Sequence, residues 1–227
     1  MTHDMVFLFD VDNTLLDNDR VSADLKRHLT NRVGAQRQAR YWVIFEELRA
    51  GLGYADYLGA LQRYRVENPR DPHLLTVSEF LINYPFARRL YPKALNVLEH
   101  VTQWGPAVVL SDGDVVFQPR KVERAGIRAA VDGNVLIYIH KESELEDVEQ
   151  RFPAEHYVLV DDKLRILTSV KKAWSDRVTT VFPRQGHYAR DIAALSKYPP
   201  ADITVERIGD LLDLDARAFL DASMNAS

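Results

Sequence analysis

Apolar residues fall into two rhythms along the chain. Short, nearly continuous runs occur at Met5–Phe9, Ala107–Leu110, Val135–His140, Tyr157–Val160 and Val178–Phe182. Each has the length and enrichment of a strand buried on both faces. Ile203–Val205 is a candidate for a short sixth strand. Between the first and second runs the rhythm is helical. Ser22 is the expected N-cap of a helix carrying Leu25, Leu29 and Val33, with Gly34 as its stop. Further helices are expected over Gln36–Arg49, Tyr54–Val66 and Leu74–Asn83, punctuated by Gly51, Gly53, Asn68-Pro69 and Pro85. From Tyr91 onward strands and helices alternate. Pro92 opens a helix with the stripe Leu95, Leu98 and Val101 and a stop at Gly105. Helices near Arg120–Ala125, over Glu142–Phe152, after Asp162 and over Ile208–Leu214 complete the pattern. Alternation of this kind predicts an α/β fold with a Rossmann-like parallel sheet covered on both faces. The helical stretch is expected as an insert. The domains are then 1–16 with 91–227 as the core and 17–90 as a helical cap.

Ligands of open parallel sheets bind beyond the carboxyl ends of the strands, so the residues delivered there carry the chemistry. The first strand delivers Asp10, Asp12 and Thr14; the second, Ser111, Asp112 and Asp114; the third, His140 and Lys141; the fourth, Asp161 and Asp162. Clustered carboxylates repel one another unless a cation or proton neutralises them. Magnesium suits such an oxygen-rich set. The bland readings are turn or cap roles for the aspartates and Ser111, and a solvated surface role for Lys141, with Lys121 and Lys163 as the competing lysines. The seven histidines show no metal-ligand pairing and read as surface or packing residues.

Composition narrows the classes. The 227-residue chain has no cysteine, which excludes disulfides, thiolate metal sites and cysteine nucleophiles and fits a cytoplasmic protein. Its net charge of −4 speaks against general nucleic-acid binding. No apolar run approaches the roughly 20 residues of a membrane span, and the N-terminus lacks the pattern of a signal peptide. The segment from Asp17 to Leu90 has 12 basic and 9 acidic residues, so the remainder is the acidic part. A basic segment beside an acidic one can steer an anionic substrate, although ordinary solvated helix faces give the same count.

FLFDVDNTLLD, an apolar strand followed by Asp-x-Asp-x-Thr, resembles the first motif of the haloacid dehalogenase superfamily. VVLSDGD resembles the second, Lys141 stands where the third-motif lysine is expected, twenty residues before Asp161, and YVLVDDK resembles the fourth. The helical segment between the first two motifs is similar to the cap of one subclass. The resemblance spans about Val6 to Phe182. It implies Asp10 as nucleophile, Asp12 as acid and base with its main-chain carbonyl on the metal, and Thr14 as a support for the loop. Ser111 would bind phosphoryl oxygens, Lys141 would balance charge, and Mg2+ would be held by Asp10, Asp12 and Asp162 with Asp161 beside them. Asp161 stands where relatives have Gly, and no acid follows in Lys163-Leu164-Arg165-Ile166. Either aspartate is therefore a candidate for the metal.

The function these features imply is hydrolysis of a small phosphorylated metabolite through an aspartyl phosphate. The alternatives are a phosphomutase, a 2-haloacid dehalogenase of the same superfamily, and a binding protein with a degenerate site. Asp12 speaks against the dehalogenase, a branch without a carboxylate at that position. Tyr41, Trp42, Arg37 and Arg40 are candidates to line a substrate pocket, against the alternative that Trp42 and its apolar neighbours form cap core.

Overall fold

The computed structural model describes residues 2–224. Six strands form one parallel sheet in the order β3-β2-β1-β4-β5-β6: β1 His3–Phe9, β2 Ala107–Asp112, β3 Val135–Tyr138, β4 Ala154–Val160, β5 Val178–Pro183 and β6 Ile203–Val205. The central strand shows why its sequence is a continuous apolar run. Successive side chains point to opposite faces. Met5, Phe7 and Phe9 enter one core cluster with Val97, Leu98 and Phe219. Val6 and Leu8 enter another with Ile166, Leu167 and Val170. From Met5 onward both faces of β1 are thus covered, and no polar position follows until Asp10.

Four helices lie between β1 and the return of the chain to the core at Leu90: α1 Asn18–Val33, α2 Ala35–Leu52, α3 Tyr57–Glu67 and α4 Leu74–Asn83. Gly34, at φ +86°, makes the break between α1 and α2, in backbone that side chains avoid. The chain leaves and re-enters the core side by side. Asp17 N donates to Arg89 O at 2.7 Å and Tyr91 N to Leu15 O at 2.9 Å. The remaining helices are α5 Ala94–Val101, α6 Phe117–Arg124, α7 Ile127–Ala130, α8 Leu145–Arg151, α9 Leu164–Trp174, α10 Ile192–Leu195 and α11 Ala216–Met224. No helix among the described residues is long and apolar enough to cross a membrane.

Several local expectations need correction. Asp17, not Ser22, caps α1: its carboxylate accepts from Arg20 N at 2.8 Å, and Ser22 lies inside the helix. Both residue types cap well, and the chain turns into the helix at the earlier one. The helix expected near Arg120 starts at Phe117, because Asp114 Oδ1 accepts from the backbone of Val116 and Phe117. The third strand stops at Tyr138. A 3-10 turn over Lys141–Ser143 then precedes α8. The helix expected over Ile208–Leu214 is a 3-10 segment, Ile208–Asp213, and α11 beyond it was not expected at all.

Candidate active site

Strand register brings the candidate residues together. Phe9 pairs with Val109 on one side and Val160 on the other, so β1 and β4 end at one level and β2 runs past them to Asp112. Asp10 N is fixed by Val160 O at 2.9 Å, and Asp161 N by Val181 O at 3.1 Å. Asp10, Asp161 and Asp162 are all buried, and oxygens from the three lie within 4.8 Å of one another. Thr14 ties two strand ends: its Oγ1 donates to Asp10 Oδ2 at 3.3 Å and accepts from Asp162 N at 3.1 Å.

Lys141 is the lysine at the centre. Its Nζ donates to Asp10 Oδ1 at 2.6 Å and to Leu110 O at 3.2 Å, and it lies 2.6 Å from Asp161 Oδ2. Burial works against its charge, yet Asp10, Asp161 and Asp112 outweigh that and hold its pKa above the ordinary value. Burial also pushes the Asp10 carboxyl up, but Lys141 and Lys163 overcome it and keep Asp10 below the usual range. Asp161 is pushed by burial to about 6 against the pull of Lys141. Burial drives Asp162 well above the usual range.

The two neighbouring aspartates differ in their partners. Asp161 Oδ1 accepts from Lys163 N at 2.8 Å, and Oδ2 faces Lys141. Neither oxygen of Asp162 has a hydrogen-bond partner, although both are buried. An unpartnered buried carboxylate is costly. With Asp10 and Asp161 beside it, this donor set fits a hard divalent cation, which takes oxygen ligands. The Asp12 carboxylate stands outside the cluster. It is gripped by Lys121 Nζ at 2.6 and 2.8 Å. Ser111 Oγ, buried at the end of β2, accepts from Gln118 Nε2 at 2.9 Å. Asp112 Oδ1 accepts from Lys141 N at 2.8 Å, fixing the backbone that carries the lysine.

A cavity of about 500 Å³ opens from Asp10, Asp12 and Ser111 toward the helical insert. The insert lines it with Ser22 and Lys26 of α1 and with Trp42, Phe45 and Arg49 of α2. Trp42 is thus a lining residue. Arg37 and Arg40 are not: they pair on the exterior with Asp71 and Glu67. Tyr41 is wholly buried, its hydroxyl donating to Tyr57 O at 2.8 Å. The residues overlooked in the sequence, Lys26, Arg49, Gln118 and His187, carry no local signal, and Lys121, a competitor for the place of Lys141, holds Asp12 instead. Only helical phase marks Trp42, Phe45 and Arg49 as one face, at spacings of three and four. The segment after β5 closes the cavity side. Gln185 Nε2 donates to Thr14 O at 3.0 Å, His187 Nδ1 meets Asp19 Oδ1 at 2.6 Å, and Arg49 donates to the Tyr188 hydroxyl. Lys163 Nζ sits 5.6 Å from the Tyr188 ring centre.

The family model for haloacid dehalogenase-like hydrolases matches residues 5–173. The chain is 66% identical to a solved haloacid dehalogenase-like hydrolase from Burkholderia xenovorans LB400, with a TM-score of 0.91, covering 94% of this chain and all of that one. It shares the fold of the HAD-hydrolase YfnB of Bacillus subtilis bound to magnesium, at 15% identity and a TM-score of 0.60, covering 93% of this chain and 98% of that one. It also shares the fold of the L-2-haloacid dehalogenase of Xanthobacter autotrophicus with chloropropionic acid covalently bound, at 20% identity and a TM-score of 0.61, covering 94% and 98%. No curated protein sequence matches the chain.

Proposed function

The chain belongs to the haloacid dehalogenase-like hydrolases, and we propose that it is a magnesium-dependent phosphatase acting on a small phosphorylated metabolite through an aspartyl-phosphate intermediate. One observation carries the reading: Asp162 presents two buried, unpartnered oxygens beside Asp10 and Asp161. A divalent cation satisfies them, and phosphoryl transfer is the reaction that uses such a cation to offset charge on the transferred group. Asp10, Asp161 and Asp162 would hold it, with the main chain of Asp12 completing the set.

The chain's own residues divide the remaining work. Lys141 holds Asp10 by Oδ1, which leaves Oδ2 as the less engaged oxygen and the nucleophile. Its attack forms the Asp10–phosphorus bond and breaks the bond to the leaving oxygen, which takes a proton from Asp12. A water then attacks phosphorus, Asp12 takes its proton, and the Asp10–phosphorus bond breaks to release phosphate. Ser111 accepts from Gln118, so its own proton, otherwise in a long 3.4 Å contact to Asp112 O, is available to a phosphoryl oxygen. The helical insert, residues 17–90, acts as the cap that covers the leaving group and excludes water.

Haloacid dehalogenation is the competing reading, because enzymes of that activity share the fold. Attack on carbon with loss of halide needs neither a cation nor a proton for the leaving group. Hydrolysis of the resulting ester needs one base to activate water, but that route gives Asp12 no leaving group to protonate and the unpartnered oxygens of Asp162 no cation. The test is a panel of phosphorylated metabolites assayed with magnesium and after EDTA, alongside halide release from 2-chloropropionate. Phosphate release that EDTA abolishes and magnesium restores supports the proposal; halide release without phosphatase activity overturns it. For the covalent step, Asp12→Asn on an aryl phosphate should give a burst equal to the enzyme concentration, with phosphate on Asp10 detected by mass spectrometry. Asp10→Asn should give neither.

A further inference from the structure

Lys121 is a buried cation that the chemistry above does not use. It lies on α6, only 1% exposed, and donates to both oxygens of Asp12 at 2.6 and 2.8 Å. It also donates to Asn18 Oδ1 at 3.2 Å, on the first residue of α1. Asn18 is joined in turn to the Tyr57 hydroxyl at 3.4 Å, which Ser22 meets at 2.7 Å. Asp12 itself is 21% exposed on its side chain and lines the cavity. One lysine therefore grips the carboxylate that faces the substrate space and touches the first residue of the insert.

We propose that Lys121 is a positioning residue for the acid–base carboxylate: its ammonium fixes the plane of the Asp12 carboxyl group and joins that orientation to the seating of the helical insert. This rests on the reading of Asp12 as acid and base. The physical need is clear. The terminal torsion of an aspartate is broad and roughly two-fold, so Asp12 unclamped would turn about its last bond. Proton transfer demands hydrogen-bond reach to the leaving oxygen, and a misplacement of about 1 Å costs roughly a hundredfold. The two-point grip removes that freedom without occupying the space beyond Asp12. The contact to Asn18 places the end of α1 on the same ammonium, so a displaced insert loses one of the clamp's partners.

The test compares wild type, Lys121→Met and Lys121→Arg in the presence of magnesium. kcat/KM is measured for two esters: an alkyl phosphate, whose leaving oxygen needs a proton, and 4-nitrophenyl phosphate, whose leaving group does not. Lys121→Met should lower kcat/KM on the alkyl ester about a hundredfold and on the nitrophenyl ester tenfold or less. Lys121→Arg should restore part of the loss on the alkyl ester. Lys121→Gln repeats the comparison if the methionine variant folds poorly. Equal losses on both esters would overturn the proposal and leave Lys121 a packing residue, as would unchanged kinetics in every variant. A wild-type enzyme that hydrolyses no phosphate ester defeats the phosphatase reading first, and the positioning role with it.

Discussion

Lys141 and Asp10 meet at 2.6 Å across 131 residues of chain, and the same ammonium lies 2.6 Å from Asp161. One cation thus neutralises carboxylates from two different strands, and it does so in a buried setting. Removing one member of a buried ion pair leaves its partners uncompensated, at a cost of about 3–5 kcal/mol. Lys141→Met should lose stability on that scale in chemical denaturation without metal. Magnesium should recover part of the loss, because it supplies the missing positive charge. Turnover should fall to background in either condition.

Asp162→Asn should weaken magnesium more than Asp161→Asn. Asp161 already has Lys141 and the Lys163 amide as partners, whereas both oxygens of Asp162 are unpartnered. Titration of activity with magnesium in the two variants measures the order. The reverse order would make Asp161 the principal ligand.

Stability of the metal-free protein should decline as pH rises from about 4 to about 6. Asp161 is held at about 6 and Asp162 well above its ordinary value, against about 3.9 in an unfolded chain. In that window the folded state binds more protons than the unfolded state, so stability decreases with rising pH. These groups favour the fold fully below the unfolded value and lose that contribution as the folded value is passed. A cation needs the ionised ligands. The stabilisation that magnesium adds should therefore be larger at pH 7.5 than at pH 5, as thermal unfolding at matched ionic strength would show.

Gly186→Ala should damage the site from the far side of the cavity. Gly186 has φ +68°, and a Cβ there would stand 2.6–2.9 Å from the side chain of Asn13. The left-handed backbone alone costs a substituted residue about 1–2 kcal/mol. Asn13 lies between Asp12 and Thr14, is itself at φ +63°, and accepts from the backbone of Asn18 and Asp19. The clash should displace that loop and reduce kcat by tenfold or more, with a lower melting temperature. Gly133→Ala, at φ +80° with nothing within 4 Å, is the control. It should lower stability and leave kcat unchanged.

The strands and their terminal residues were legible because a strand buried on both faces has to be apolar throughout. The first polar residue after Phe9 or Val160 then falls at the carboxyl edge of the sheet. Asp10, Ser111, Asp161 and Asp162 announce themselves in this way, and the parallel register of β1, β2 and β4 sets Asp10 and Asp161 side by side with Ser111 and Asp162 one residue further along. Helix ends were less legible, since Asp17 and Ser22 cap equally well as residue types and only the path of the chain chooses between them.

The sequence by itself determined the α/β fold, the insertion of four helices after the first strand, and the set of carboxylates at the strand ends, all of which follow from short-range alternation of apolar and polar residues. Only the tertiary structure decided that Lys121 grips Asp12 while Lys141 grips Asp10, that Arg49 rather than Arg37 or Arg40 faces the cavity, and that His187 reaches Asp19. A lysine in a helix looks the same in sequence whether water or a carboxylate receives it. The partner is set by packing between segments more than a hundred residues apart, and local patterning does not record that distance.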